Sequence, residues 1–507
     1  MGLNYKFLFL FSFLPFIAQA EGVRLHILAP DYEDKAVYLW IEDDFFSRHQ
    51  VLINEGKITN GECFFEFSVE STSKIRIAID YQYGSMYVQG NSDYQIAFPK
   101  QSEKSMRSLA WNTQVMLSLL DLPENDVNTH IMLFNSELDA FFSELLLGDL
   151  SQDPINSLDS LDDPDQGKML ATRKFSQKES LAKFDRFMDS IEVQFDSIKL
   201  PFFNNYVRYT EASIKYSLGE KKDILYDEYL KDKEVLYYNP EYVKFFLDYY
   251  QNFFDFYSFY PFDDKLNAAF ASNEPYEKLS QLVAEDSLSG GVELKELVLI
   301  KALYDYSHQH PELDSTILSV LNNISLSTRF PIHKTIISHY SEKLMKGKKG
   351  SPFPDIEFIS YTGDTLSISE LSGQLIYLQI FASWSSSSLS EMELCNELYK
   401  KYSGKVTFIS LSIDPSIDDF NAFVKSHRNY KWEIGWIGVH PEKLQLLSIY
   451  DLPLFYLIEA DLKIAEWPAL MPSTGIEKNF YELELKEREE KTFRFWENQT
   501  NKSKREE

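Results

Sequence analysis

Four serines stand behind a tryptophan in Trp384-Ser385-Ser386-Ser387-Ser388, after an apolar run and before a helical pattern. A serine at a helix start can accept a hydrogen bond from an unpaired backbone N–H, which is capping rather than catalysis. Ser388-Leu389-Ser390-Glu391 also fits the box in which an acid three residues on reaches back to the cap. A hydrolytic serine instead needs an adjacent base, usually histidine. None lies in this segment, and His427 and His440 could reach it only through the tertiary fold. Thiol chemistry has two candidates, Cys63 and Cys395. Cys63 alternates with Phe65 and Phe67 on one strand face, and Cys395 shares a helical stripe with Met392, Leu398 and Tyr399. Both read as small core hydrophobes, the alternative being a bond between them that links two distant domains. His308-Gln309-His310 has no obvious third ligand, and the acid-rich stretch 151–167 lacks the spacing and closing Glu of a calcium loop. No metal and no cofactor are expected.

The ends and totals set the setting. Lys6, the apolar run Phe7 to Ile17 and the small residues Ala18-Gln19-Ala20 form a secretory-signal pattern over residues 1–20. That run is too short for a spanning helix, and no later segment is long and apolar enough, so a soluble exported chain without a transmembrane segment is expected, periplasmic in a bacterium. Two cysteines exclude a disulfide framework. With Lys+Arg 50 against Asp+Glu 78 the net charge is −28, which repels phosphate backbones, and nucleic acid is not an expected partner.

At 507 residues the chain is too long for one core, and a multidomain protein is expected. Residues 21–100 carry short β-branched and aromatic runs (Val37 to Ile41, Gly61 to Phe67, Lys74 to Asp80, Tyr94 to Phe98) between turn signals, which predicts an antiparallel β-sandwich. Residues 101–345 switch to helical spacing. Met132, Phe134, Leu138, Phe141, Phe142 and Leu145 make one stripe, and Leu181, Phe184, Phe187, Met188 and Ile191 another. The Tyr- and Phe-rich stretch Tyr237 to Phe262 reads as core, with a groove for an apolar ligand as the alternative. Residues 346–490 alternate strands and helices around the near-continuous apolar runs Leu375 to Phe381 and Val406 to Ile413, which predicts an α/β sheet covered on both faces. Residues 491–507 are charged and polar and are expected to be a disordered tail.

A family resemblance rests on several segments in order. Gly350-Ser351-Pro352-Phe353-Pro354-Asp355-Ile356, Gly363-Asp364 with Leu366 to Gly373, Ala382-Ser383-Trp384, Leu452-Pro453-Leu454, Phe455 to Ile458 and Asp461 to Ile464 together resemble the TlpA/ResA-like branch of the thioredoxin-like superfamily over about 130 residues. The resemblance implies a C-terminal thioredoxin-like fold and an exported bacterial thiol–disulfide oxidoreductase as parent. It places Ser385 and Ser388 where that family has its attacking and resolving cysteines, and Glu391 where it has an acid that tunes them. It puts Pro453 at the family's cis-proline, in a loop whose backbone groups meet an extended peptide. A hydroxyl cannot form the mixed disulfide through which exchange passes, so the motif is redox-inactive on this reading.

The expected function is therefore a binding or assembly module with no catalytic residue. Trp384, Ser385, Leu452 and Pro453 would form its surface for an extended peptide or protein partner. The alternative is an oxidoreductase or antioxidant-type enzyme of the parent class, acting through Cys395 or through cysteines of a partner.

Overall fold

The computed structural model describes residues 21–80, 82–100, 113–123, 125–150, 166–254, 263–285, 290–449 and 451–482. The signal pattern, nearly all of the acid-rich stretch and the charged tail lie outside them. The chain divides into two compact units. One is built from the described residues among 1–103, 112–251 and 287–294, the other from those among 104–111, 252–286 and 295–507.

The first unit opens with strands β1 (Glu21–Leu28), β2 (Ala36–Asp44), β3 (His49–Lys57), β4 (Glu62–Val69), β5 (Ser73–Ile79), β6 (Gln82–Val88), β7 (Ser92–Ala97), β8 (Thr113–Gln114) and β9 (Ser118–Leu120). They form a four-stranded sheet, β4-β1-β7-β9, and a five-stranded sheet, β3-β2-β5-β6-β8. Successive side chains point to opposite faces of a strand, so Leu25 and Ile27, Leu39, Phe65, and Ile75, Ile77 and Ile79 turn into one shared core. The pairing is not purely antiparallel, as the turn signals implied. β1 runs parallel to β7 and β6 parallel to β8. Parallel neighbours are joined by long crossovers rather than hairpins, so turn residues give no sign of them.

Helices α1 (Val127–Leu150), α2 (Gln166–Phe195), α3 (Pro201–Ser217), α4 (Lys222–Leu225) and α5 (Pro240–Tyr249) complete this unit. Phe134, Phe184, Met188, Ile191 and Phe203 share a core, whereas Met132, counted in the first stripe, is 58% exposed. α5 starts where Asn239 accepts from the Tyr242 N–H at 3.0 Å and Pro240 occupies the first turn, where its missing N–H costs nothing. Its Tyr242, Phe245, Phe246 and Tyr249 are buried, so in this helix the aromatic stretch is core.

In the second unit, α6 (Asp263–Phe270), α7 (Pro275–Glu285), the part of α8 (Val292–Gln309) from Lys295 onward, α9 (Asp314–Ser327) and α10 (Pro331–Met345) precede a second fold. That fold is a seven-stranded sheet of β10 (Glu357–Ser360), β11 (Thr365–Ser367), β12 (Leu375–Phe381), β13 (Val406–Ser412), β14 (Glu433–Trp436), β15 (Leu454–Ile458) and β16 (Ile464–Glu466), in the order β11-β10-β14-β13-β12-β15-β16. β12, β13 and β14 are parallel, and β15 is antiparallel to β12. Helices α11 (Ser386–Tyr402), α12 (Ile417–Ser426) and α13 (Pro441–Leu446) connect them. Ile376, Leu378 and Ile380 belong to one core cluster and Tyr377 and Phe381 to another, which is why β12 reads as an unbroken apolar run. β14 carries little sequence signal. It is four residues long and holds Gly435, where a Cβ would stand 2.2 Å from the Phe358 ring.

Candidate functional site

The serine run is the junction between β12 and α11. Ser385 is the N-cap: its backbone is extended (φ −89°, ψ 104°), and its hydroxyl oxygen accepts from the Ser388 N–H at 3.3 Å. Ser388 Oγ donates to Ser385 Oγ at 2.9 Å, and the Ser385 and Ser387 hydroxyls lie 3.1 Å apart. Ser385 and Ser388 are both 0% exposed. Neither hydroxyl meets a histidine, so no general base is in place for hydrolysis. His427 is occupied within its own helix end, with Nδ1 2.9 Å from the Phe423 carbonyl and its ring stacked on Phe423.

Because α11 begins at Ser386, Ser388 sits inside the first turn and cannot be the cap that Glu391 would reach. Glu391 turns instead to a segment 82 residues on. It accepts from the Ser473 N–H at 3.0 Å and the Ser473 hydroxyl at 2.5 Å. The capping-box reading of Glu391 is thus replaced by a long-range tie that only the tertiary fold creates.

Two buried polar anchors, neither found from sequence, hold this junction. Asp414, 0% exposed at the end of β13, accepts from the Ser383 N–H at 3.0 Å, the Ser383 hydroxyl at 3.0 Å and the Ser412 hydroxyl at 2.6 Å. Burial pushes its carboxyl up, and the hydrogen bonds from Ser412 and Ser383 oppose that shift. The second anchor is a relay: Trp432 Nε1 donates to Ser410 Oγ at 2.9 Å, Ser410 Oγ donates to Gln379 Oε1 at 3.2 Å, and Gln379 Nε2 donates to the Ser388 carbonyl at 3.0 Å. A polar residue inside an apolar strand run was the available signal for Gln379, and a lone acid closing such a run was the signal for Asp414.

The fold brings the Leu452–Pro453 loop to the same place. The peptide bond between them is cis, and the Ser387 hydroxyl donates to the Leu452 carbonyl at 3.4 Å. Leu452 N–H donates to Asp451 Oδ1 at 2.8 Å. Trp384 is 40% exposed and Ser386 and Ser387 are exposed, while Leu452 and Pro453 are half-buried. Of the four residues expected to meet a partner, Ser385 fails: its hydroxyl faces inward as the helix cap. Ser387 takes its place on the surface.

Both cysteines are free and buried. Burial, with the nearby Glu391 carboxylate, pushes the Cys395 thiol far up, so little of it is thiolate at neutral pH. Maleimide therefore labels Cys395 at least about a hundredfold more slowly in the native chain than after denaturation, as expected for a core thiol. Fast native labelling would overturn this assignment. His308 Nδ1 lies 2.8 Å from the Tyr304 carbonyl and His310 Nδ1 3.1 Å from Glu312 Oε1, so each histidine of that pair has its own partner.

No family model matches the chain. Among curated proteins, thiol-disulfide oxidoreductase ResA of Bacillus cereus strain ATCC 10987 is 26% identical over 133 residues, which is 26% of this chain and 76% of that protein. The ResA of Bacillus cereus strain ZK is 29% identical over 126 residues, covering 25% of this chain and 70% of its own. Among solved structures, the thioredoxin domain of a thiol-disulfide oxidoreductase from Bacteroides vulgatus shares 18% identity, covers 26% of this chain and 97% of its own, and has a TM-score of 0.24. By its match to these ResA proteins, the C-terminal module of this chain is similar to thioredoxin-like domains of the TlpA/ResA-like kind.

Proposed function

We propose that the chain is exported and that its C-terminal domain is a non-catalytic binding module, holding an extended peptide of a partner against Trp384 and the Leu452–Pro453 loop. One observation carries the reading. Ser385 and Ser388, which the family resemblance sets at the dithiol positions, have hydroxyls that are buried and hydrogen-bonded to each other, and neither carries a thiol to attack a disulfide. Export rests on the charged, apolar and small residues of the first twenty positions. Among the described residues no helix is long and apolar enough to cross a membrane.

A peptide laid on this surface meets an exposed indole and the main chain of Leu452. It must compete with Asp451 for the Leu452 N–H and with Ser387 for the carbonyl, and the 3.4 Å contact from Ser387 is the weaker of the two. The binding test uses S-carboxymethylated insulin B chain as an extended, thiol-free probe. Trp384→Ala weakens its binding about tenfold, the effect of removing a central aromatic anchor. An unchanged affinity would place the peptide elsewhere. The other reading, an oxidoreductase acting through Cys395, is favoured by the similarity to thiol-disulfide oxidoreductases and opposed by the burial of that thiol.

A further inference from the structure

We propose that the chamber between the outer face of the five-stranded sheet and α5 is a binding site for a small zwitterion, of the size of a free amino acid or dipeptide. This site lies in the first unit and does not rest on the reading of the C-terminal domain.

Alternation along β5 sends Ile75 and Ile77 into the sandwich core and leaves Lys74 and Arg76 on the opposite face. The register sets Trp40 opposite Arg76 and Ile41 opposite Ile75, which brings Glu42, the next residue on β2, beside Lys74 on that same face. A sheet face covered by a helix is ordinarily apolar, because the helix excludes the water that charges need. Between the strands and α5 the Phe46 and Phe246 rings lie 5.3 Å apart. Beside them opens a cavity of about 410 Å³ lined by Glu42, Arg48, Lys74, Arg76, Glu241 and Lys244 among others, within the range of small-molecule pockets.

The charges are placed to be used. Arg76 lies over the Tyr83 ring at 3.8 Å and donates to Gln50 Oε1 at 3.3 Å, which fixes the plane of its guanidinium. Lys74 Nζ stands 3.7 Å from Glu42, an ion pair too long for a good hydrogen bond. Burial pushes the Glu42 and Glu241 carboxyls up and the Arg76 guanidinium down. The lining holds four cations (Arg48, Lys74, Arg76, Lys244) against three acids (Glu42, Glu241, Asp248), in a chain with 78 acids and 50 bases. A carboxylate suits the cations of this lining and an ammonium suits its acids Glu42 and Glu241. A zwitterion supplies both in one molecule.

Calorimetric titration of the full chain tests this with the free amino acids and the dipeptide Gly-Leu, and with acetate and methylammonium as single-charge probes. At least one zwitterion binds, and each single-charge probe binds about tenfold or more weakly than it. Arg76→Gln and Glu241→Gln each weaken that binding about tenfold. Lys244→Gln, at an exposed position that does not endanger folding, weakens it severalfold. The proposal is overturned if no zwitterion of the panel binds at millimolar concentration. It is equally overturned if acetate binds as tightly as the best zwitterion, or if Glu241→Gln and Lys244→Gln both leave the affinity unchanged.

Discussion

Replacing Ser385 and Ser388 together by cysteine (S385C/S388C) turns the start of α11 into a dithiol that closes to a disulfide. Residues three apart on a helix have Cα atoms about 5 Å apart, inside the range a disulfide accepts. Their hydroxyls already meet at 2.9 Å, so the side chains point at each other. The helix N-terminus, with the Ser388 N–H directed at position 385, favours a thiolate there, although burial of both positions works against it. After oxidation by glutathione disulfide, thiol counting under denaturing conditions gives two thiols in the variant, the native Cys63 and Cys395. With dithiothreitol as electron donor, insulin reduction in the presence of the variant rises at least about tenfold above the uncatalysed rate, while the parent stays at that rate. Four free thiols after oxidation would show that the geometry no longer fits a disulfide. A parent chain that reduces insulin at an appreciable rate would sink the non-catalytic reading itself.

Asp414→Ala destabilises the second unit by about 3 kcal/mol, the usual cost of removing one member of a buried charged network. The substitution removes the acceptor of the Ser383 N–H and of the hydroxyls of Ser383 and Ser412. Asp414→Asn keeps one acceptor oxygen and costs roughly 1 kcal/mol. Urea titration followed by tryptophan fluorescence reads both, because Trp436 Nε1 donates to the Asp414 carbonyl at 2.7 Å. Hydrogen exchange gives a local check: the Ser383 amide loses its protection in the Ala variant before the strand amides do. A change below about 1 kcal/mol for Asp414→Ala would mean that the carboxylate is not what anchors the Trp384 loop. The two predictions are independent, since Asp414 bonds to Ser383 and Ser412 and not to Ser385 or Ser388.

What could be read from sequence follows the range of the interactions. β12 and β13 were legible because both faces of these strands are covered, which forces continuous apolar runs. The start of α11 was legible because capping is local chemistry between residues three apart. Glu391 shows the limit. Its spacing from Ser388 satisfies the local rule, yet the stronger partner is Ser473, a residue with no sequence relation to it. β14 escaped because four residues with a glycine carry too little pattern to mark a strand.

The sequence by itself determined which side chains stand at 385 and 388: both are serine, and no arrangement of the chain makes a dithiol of them. It also determined the thioredoxin-like character of the C-terminal module, because its strand, turn and loop signatures are short-range and ordered along the chain. Only the tertiary structure decided what surrounds those serines. Burial turned Ser385 from a surface contact into a cap, shut Cys395 away from solvent and made Asp414 and Gln379 the supports of the loop. The chamber under α5 is likewise a tertiary fact. Alternation along β5 says that Lys74 and Arg76 share a face, but whether that face meets water or a helix depends on residues some 170 positions away, and free energies of burial are set by that neighbour.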